Sequence, residues 1–280
     1  MSKTVIAFGS CLSNITIANL VSDYGFVQTH SVHHNRSDAF LDYHVHQNRE
    51  MPPLDWMEAK LIHKPDKEAE ARQFLRNQYR PYLGFHDLSD RRVEGRSFFD
   101  DLRDHQYDVI LMDNFMDVAA KLAFSTIDSR YKNSPIFFNH GFYENEAELS
   151  REFHHTDFLS PQQSARNNFE IYKWLRILQP KAKIFFLPYH FCSSLEHKDR
   201  YIRIYDFYKS FSKLVSNDDL YLVPPPNVVP NLTKGEEDWP HFQMPVYKAL
   251  AGYIFLHTEA EFSRPGSPHT LPKSKFSNWF

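Results

Sequence analysis

The stretch Thr4-Val5-Ile6-Ala7-Phe8-Gly9-Ser10-Cys11-Leu12-Ser13 decides how this chain is read. Thr4 to Phe8 is a short apolar, partly β-branched run that stops at Gly9, and from Leu12 to Val21 apolar residues return at helical spacing. Strand, tight turn and helix therefore follow in immediate succession. The same alternation recurs downstream. Phe26 to Val32, Asp108 to Met112, Lys183 to Leu187 and Leu220 to Val223 read as strands, with a weaker one at Ile136 to Phe138. Helices are expected over Phe115 to Phe124, Pro161 to Leu178, Asp199 to Val215 and Val246 to His257; the second of these has Pro at its start and another Pro just after its end. Strands alternating with helices imply a parallel sheet, so the expected fold is α/β: a three-layer α/β/α flavodoxin-like parallel sheet with helices on both faces.

A chain of 280 residues that is 42% hydrophobic can bury one large core. A single domain is expected over residues 1–260, with a helical segment inserted at about 50–105 that carries a charged helix near Asp66 to Gln78. Residues 261–280, with Ser, Pro and Lys, read as a carboxyl-terminal extension. The polar stretch His33 to Glu50, rich in His, Asn and Arg, reads as an active-site or lid loop.

Composition excludes several roles. A net charge of -3 supplies no global basic field for nucleic acid or an anionic membrane. The amino terminus lacks the charged region and long apolar stretch of a secretory signal, and no segment approaches the roughly 20 apolar residues that span a bilayer. A cytoplasmic location is the expectation. Two cysteines, Cys11 and Cys192, are too few for a disulfide framework and lack zinc-site spacing. The pairs His44/His46 and His154/His155 have no acidic partner at ligand spacing, so no metal is expected. With 25 Phe and 15 Tyr, the chain has rings for a core and for stacking on sugars.

Three polar motifs fall at or beyond strand ends, where parallel sheets place their chemistry. Cys11 follows the first strand at a strand-to-helix turn, where a helix dipole favours thiolate and backbone amides can stabilise an oxyanion. As a small hydrophobe, Cys11 could equally cap the strand. Asp238-Trp239-Pro240-His241 lies after the last strand, and its short turn lets a carboxylate orient an imidazole toward a nucleophile. Asp113-Asn114 follows the central strand; Asn114 is either an oxyanion donor or the cap of the next helix, and Asp113 and Asp117 are candidate caps. Arg36 and Ser37, beside His33 and His34, could bind an anionic group or form a solvated loop. Cys192 follows a strand end and is either structural or lines the site.

The segment Phe8 to Ser13 resembles the first block of the SGNH (GDSL-like) hydrolases, usually Phe-Gly-Asp-Ser-Leu-Thr, with Gly9 and Leu12 in register. In that register Ser10 replaces the family's Asp, and Cys11 stands where the nucleophilic Ser belongs; a shift by one residue would make Ser10 the nucleophile. Asp238 and His241 resemble the family's Asp-x-x-His block, and Asn114 is similar to the oxyanion Asn of its Gly-x-Asn-Asp block, without the Gly and in a different order. The second-block Gly is not identifiable. The Gly-Ser-Cys opening and Asn35 to Ser37 resemble bacterial proteins that begin with Gly-Ser-Cys, and a related Gly-x-Cys opening occurs in coenzyme-A-binding enzymes of capsular polysaccharide synthesis.

The resemblance implies acyl transfer by a Cys11–His241–Asp238 triad, with Ser10, Asn114, Arg36 and Ser37 around the oxyanion and substrate. A thioester formed from acetyl-CoA is nearly isoenergetic with its donor, and transfer onward to a carbohydrate hydroxyl is downhill. The expected function is therefore O-acetylation of a bacterial surface polysaccharide or its sugar precursor. An SGNH-type carbohydrate esterase and a non-catalytic glycan- or partner-binding module are the alternatives.

Overall fold

A computed structural model of the chain describes residues 2–32, 34–79, 97–189, 191–192, 198–216, 218–228, 230–234 and 241–259. The expected extension at 261–280 lies outside the described residues. The central sheet is built from β1 (Thr4–Phe8), β2 (Val27–Val32), β3 (Val109–Asp113), β6 (Lys183–Leu187) and β8 (Tyr221–Leu222), in the order β2-β1-β3-β6-β8. Every pair is parallel. Counted in chain order, that is the flavodoxin-like doubly wound arrangement.

Side chains alternate between the two faces, as a period of two requires. Val5, Ala7, Val109, Leu111, Phe185 and Leu187 pack on one face against α1 (Cys11–Tyr24) and α10 (Met244–Glu259). Ile6, Phe8, Ile110, Met112, Ile184 and Phe186 pack on the other against α5 (Phe98–Asp104), α8 (Pro161–Leu178) and α9 (Lys198–Leu214). Because helices cover both faces, the strands read as continuous apolar runs. The α/β three-layer expectation is the architecture observed.

The helices end where capping chemistry dictates. Ser160 accepts from the Gln163 amide and precedes Pro161 at the start of α8, while Gly25 closes α1 with a left-handed φ of 71°. Ser97 and Asp100 form a capping box at α5.

A second, smaller core lies beside the sheet. Met57 of α3 (Leu54–Lys60), Leu61 just after it, and Ala71 and Leu75 of α4 (Glu68–Asn77) pack with Ala123, Ile136, Phe138, Tyr143, Leu149 and Phe153. These partners belong to the connection between β3 and β6, which includes α7 (Glu146–Glu152) and the antiparallel pair β4 (Ala123–Ser125) and β5 (Phe153–His155). Two long excursions from the sheet thus bury their apolar faces against each other.

Three local expectations are corrected. The stretch His33 to Glu50 is not simply a loop: it contains α2 (Ser37–Phe40) running into a π-helical turn at Leu41–Val45. Ala39, Phe40, Leu41 and Tyr43 are buried there, an apolar set masked by the surrounding His, Asn and Arg. The helix expected to reach Phe124 is α6 (Phe115–Ala119), and Ala123–Ser125 forms β4 instead, since its pairing with β5 satisfies the backbone at those positions. Ile136 to Phe138 is no strand but contributes an isolated bridge between Ile136 and Ala123. Cys192 stands in a two-residue strand, β7 (Phe191–Cys192), parallel to β9 (Asn227–Val228).

Candidate active site

The carboxyl edge of the sheet is organised around one carboxylate. Asp113, the last residue of β3, accepts through Oδ2 from the Ser10 amide (2.8 Å), the Ser13 amide (3.0 Å) and the Ser13 hydroxyl (2.6 Å). Its Oδ1 accepts from the Phe115 amide at 3.0 Å. One side chain therefore binds the amino termini of α1 and α6 together. Gly9 permits this approach: a Cβ there would lie 2.4 Å from Asp113 Oδ2 and 2.4 Å from Ser13 Oγ. The amino-terminal end of α1 thus already holds an internal carboxylate. The amides of Ser10 and Ser13 are bound to Asp113, so neither of these two is available to a substrate oxyanion.

Ser10 and Cys11 differ sharply in environment. Ser10 is buried, and its hydroxyl accepts from the Leu12 amide at 3.2 Å as the N-cap of α1. Cys11, the first residue of the helix, is a half-buried thiol.

Asn114 follows Asp113 at the strand end and is 2% exposed. It occupies the N-cap position of α6 but makes no side-chain capping bond, because Asp113 takes that role. Its Oδ1 accepts from the Tyr189 amide at 2.8 Å, which fixes the amide orientation. Its Nδ2 is buried without a hydrogen-bond partner. A buried amide donor without an acceptor is costly, and this one lines a cavity of about 10 Å³, room for one water-sized group, with Gly9, Asn35, Ser37, Asp113, Asp117 and Asn168.

The last turn reaches the same edge. Tyr189, tied to Asn114, stacks on Phe242 at 6.3 Å between ring centroids, and Phe242 and Leu12 line one apolar pocket. Phe242 and Leu12 are the chain neighbours of His241 and Cys11, so the segments bearing the thiol and the imidazole meet here. His241 is held by pairing with the preceding loop: the Lys234 amide donates to the His241 carbonyl at 3.0 Å. Asp238, Trp239 and Pro240 lie outside the described residues, as does His33.

Arg36 has an internal role in place of the expected anion fork. It is 3% exposed, pairs through Nε and Nη2 with Asp38 (2.8 and 2.7 Å), and donates through Nη1 to Ala120 O, Thr156 Oγ1 and Asp157 O. A guanidinium held this way knits the β2 exit to the connection after α6. Ser37 likewise binds Asp117 through its amide (2.8 Å) and hydroxyl (2.7 Å).

Asp117 is the residue that sequence reading undervalued as a cap. It is fully buried and also accepts from Ser164 Oγ and from Asn168 Nδ2. Burial pushes its pKa up to about 6, against the lowering effect of the Ser164 and Ser37 hydrogen bonds. The available signal was on α8, where Ser164 and Asn168 stand four residues apart within an otherwise apolar stripe of Ala165, Ile171, Tyr172 and Leu175. His34, read from the sequence only as a neighbour of Arg36 in an anion-binding group, has a packed internal position. It is buried with a left-handed φ of 55°, its ring Nδ1 3.0 Å from Asn77 Nδ2 and its edge against Phe74. Non-glycine residues in that backbone region cluster where the surroundings over-determine them.

His154 and His155 are exposed on β5, and among the described residues no group of three or more His, Cys, Asp or Glu is placed to hold a metal ion. Among the same residues no helix is long and apolar enough to cross a membrane.

No family model and no curated protein matches the sequence. Similar solved structures include the acetyl xylan esterase Est2A of Butyrivibrio proteoclasticus, at 11% identity and a TM-score of 0.43, over 92% of this chain and 64% of that one. An acetyl-xylooligosaccharide esterase from Geobacillus, in mutant form, is similar at 8% identity and a TM-score of 0.45, over 94% and 97%. A carbohydrate esterase is similar at 8% identity and a TM-score of 0.39, over 91% and 64%. This chain thus spans under two thirds of the first and third of these proteins. Such likenesses are loose, and the architecture is assigned from this chain's own strand order and parallel pairing: it has the three-layer α/β fold that the SGNH resemblance implies.

Proposed function

We propose that the protein is an enzyme acting on acyl esters, with Cys11 as its nucleophile. The observation that carries this reading is the pairing, on one sheet edge, of a half-buried thiol at the first helical position with a buried Asn114 Nδ2 that has no protein partner. Cys11 sulfur attacks the acyl carbon, His241 takes the thiol proton, and the carbonyl oxygen gains charge beside Asn114 Nδ2. Collapse expels the alcohol or thiol, to which His241 returns the proton, and leaves a thioester on Cys11. Asp238 orients His241 in this scheme. Asp113 holds the nucleophile's turn, and the Ser10 hydroxyl, bound to Leu12 N, stays outside the chemistry.

Acetyl-CoA is the proposed donor, because exchange between two thioesters is nearly isoenergetic, and a carbohydrate hydroxyl is the proposed acceptor. The carbohydrate comes from the sequence resemblance; the esterases named above act on the same class at a likeness too loose to carry the argument. Hydrolysis, with water as acceptor, is the second reading, since the sequence resemblance is to hydrolases. Incubation with acetyl-CoA, followed by intact-mass measurement, tests the scheme. An added acetyl group on Cys11, discharged by sugar and not by water, is expected for transfer. Rapid turnover of p-nitrophenyl acetate with no dependence on sugar supports the esterase, and Cys11→Ala with undiminished turnover removes both readings. Asn114→Ala should lower acylation on the order of 100-fold, the usual effect of one oxyanion donor, and cost about 1–3 kcal/mol of stability because the buried Tyr189 amide loses its acceptor.

A further inference from the structure

Among the described residues, two cations without ion-pair partners lie over one ring. Arg203 of α9 places its guanidinium carbon 4.3 Å from the centroid of Phe158, and Lys121, just beyond α6, places Nζ 5.0 Å from the same centroid. Neither forms an ion pair with a described carboxylate, and Arg203 Nη1 is buried with no hydrogen-bond partner. Burial lowers the pKa of Arg203, opposed by the charge of Asp199. Burial, and with it the Lys121 charge, pushes the His155 pKa down. Cation–π contact accounts for the ring but gives Nη1 no acceptor, and a buried charged donor left without one calls for an explanation.

The position is informative. Lys121 follows the helix that starts at Asn114, and Phe158 lies just before Ser160, the cap of α8, whose Ser164 and Asn168 bind Asp117. α9, which carries Arg203, packs against α6, the helix that Lys121 follows.

We propose that Lys121 and Arg203 form a binding site for a phosphoryl group, with Arg203 Nη1 and the Lys121 ammonium as its donors. Two positive charges match a phosphate dianion, and the guanidinium fork suits its oxygens; a carboxylate would leave one charge uncompensated. The site is independent of the Cys11 chemistry and goes beyond it. Either free phosphate or the phosphate of an organic ligand such as a sugar phosphate fits this chemistry.

The test titrates the full chain with inorganic phosphate, glucose 1-phosphate and acetate at constant ionic strength, following thermal unfolding and phosphorus NMR line width. Phosphate should bind at least about tenfold more tightly than acetate, and Lys121→Gln and Arg203→Gln should each weaken it about tenfold. Arg203→Lys, which keeps the charge and loses the fork, should lie between, and it covers the case in which Arg203→Gln folds poorly. Cys11→Ala should bind phosphate as the wild type does. Glucose 1-phosphate binding more tightly than phosphate identifies an organic ligand, and equal affinity identifies free phosphate. Equal response to phosphate and acetate, or unchanged binding in Lys121→Gln and Arg203→Lys, overturns the proposal.

Discussion

Replacing Gly9 with alanine tests how the turn beneath Cys11 is built. The new Cβ would stand 2.4 Å from Asp113 Oδ2 and 2.4 Å from Ser13 Oγ, and Asp113 accepts four hydrogen bonds at 2.6 to 3.0 Å. Overpacking alone costs roughly 1–3 kcal/mol, and each loosened bond to a charged acceptor adds to it, so a loss of about 3 kcal/mol is expected. Asp113→Ala strands several buried donors and should cost about 4 kcal/mol. The two are not independent, because removing the carboxylate removes most of what the alanine would strike. The double variant should therefore lose about 5 kcal/mol, a coupling of about 2 kcal/mol. Urea unfolding at constant m value measures all three. Additivity within about 0.5 kcal/mol would refute the close-approach account of Gly9.

Ser10→Ala should cost about 1 kcal/mol of stability through loss of the N-cap, while acyl turnover changes by no more than a factor of about three. Complete loss of turnover there, with Cys11→Ala still active, would move the nucleophile to Ser10. Asp117 gives a pH signature. Its folded pKa, about 6, exceeds the reference value of 3.8, so the native state holds the proton more tightly than the unfolded chain and gains stability as pH falls from about 6 to about 4. The wild type minus Asp117→Asn difference in unfolding free energy should thus rise on acidification by on the order of 3 kcal/mol, with contributions of other groups cancelling. A flat difference between pH 7 and pH 4 would show that Asp117 is not the perturbed carboxyl.

Much of the fold was legible because sheet strands and long helices advertise themselves by period. Lys183 to Leu187 and Pro161 to Leu178 fall at the expected bounds, since four buried apolar residues in a row and a proline-started amphipathic stripe have few other readings. Short elements were not legible. The pairing of Ala123–Ser125 with Phe153–His155 joins residues far apart in the chain, and three-residue strands carry no periodicity. At the site, the motif order pointed to the carboxyl edge and to Asn114, but burial reversed the reading of Arg36, whose five donor bonds are all to the protein.

Chain chemistry by itself determined the alternation of strands and helices, the apolar faces, and the placement of Cys11, Asn114 and His241 beyond strand ends, because these depend on local pattern and on where a parallel sheet leaves its loops. Tertiary structure alone decided which polar groups are consumed internally. Ser10, Asp113 and Arg36 are bound within the protein while Asn114 Nδ2 is not, and such pairing depends on distances between segments about a hundred residues apart that no local pattern encodes.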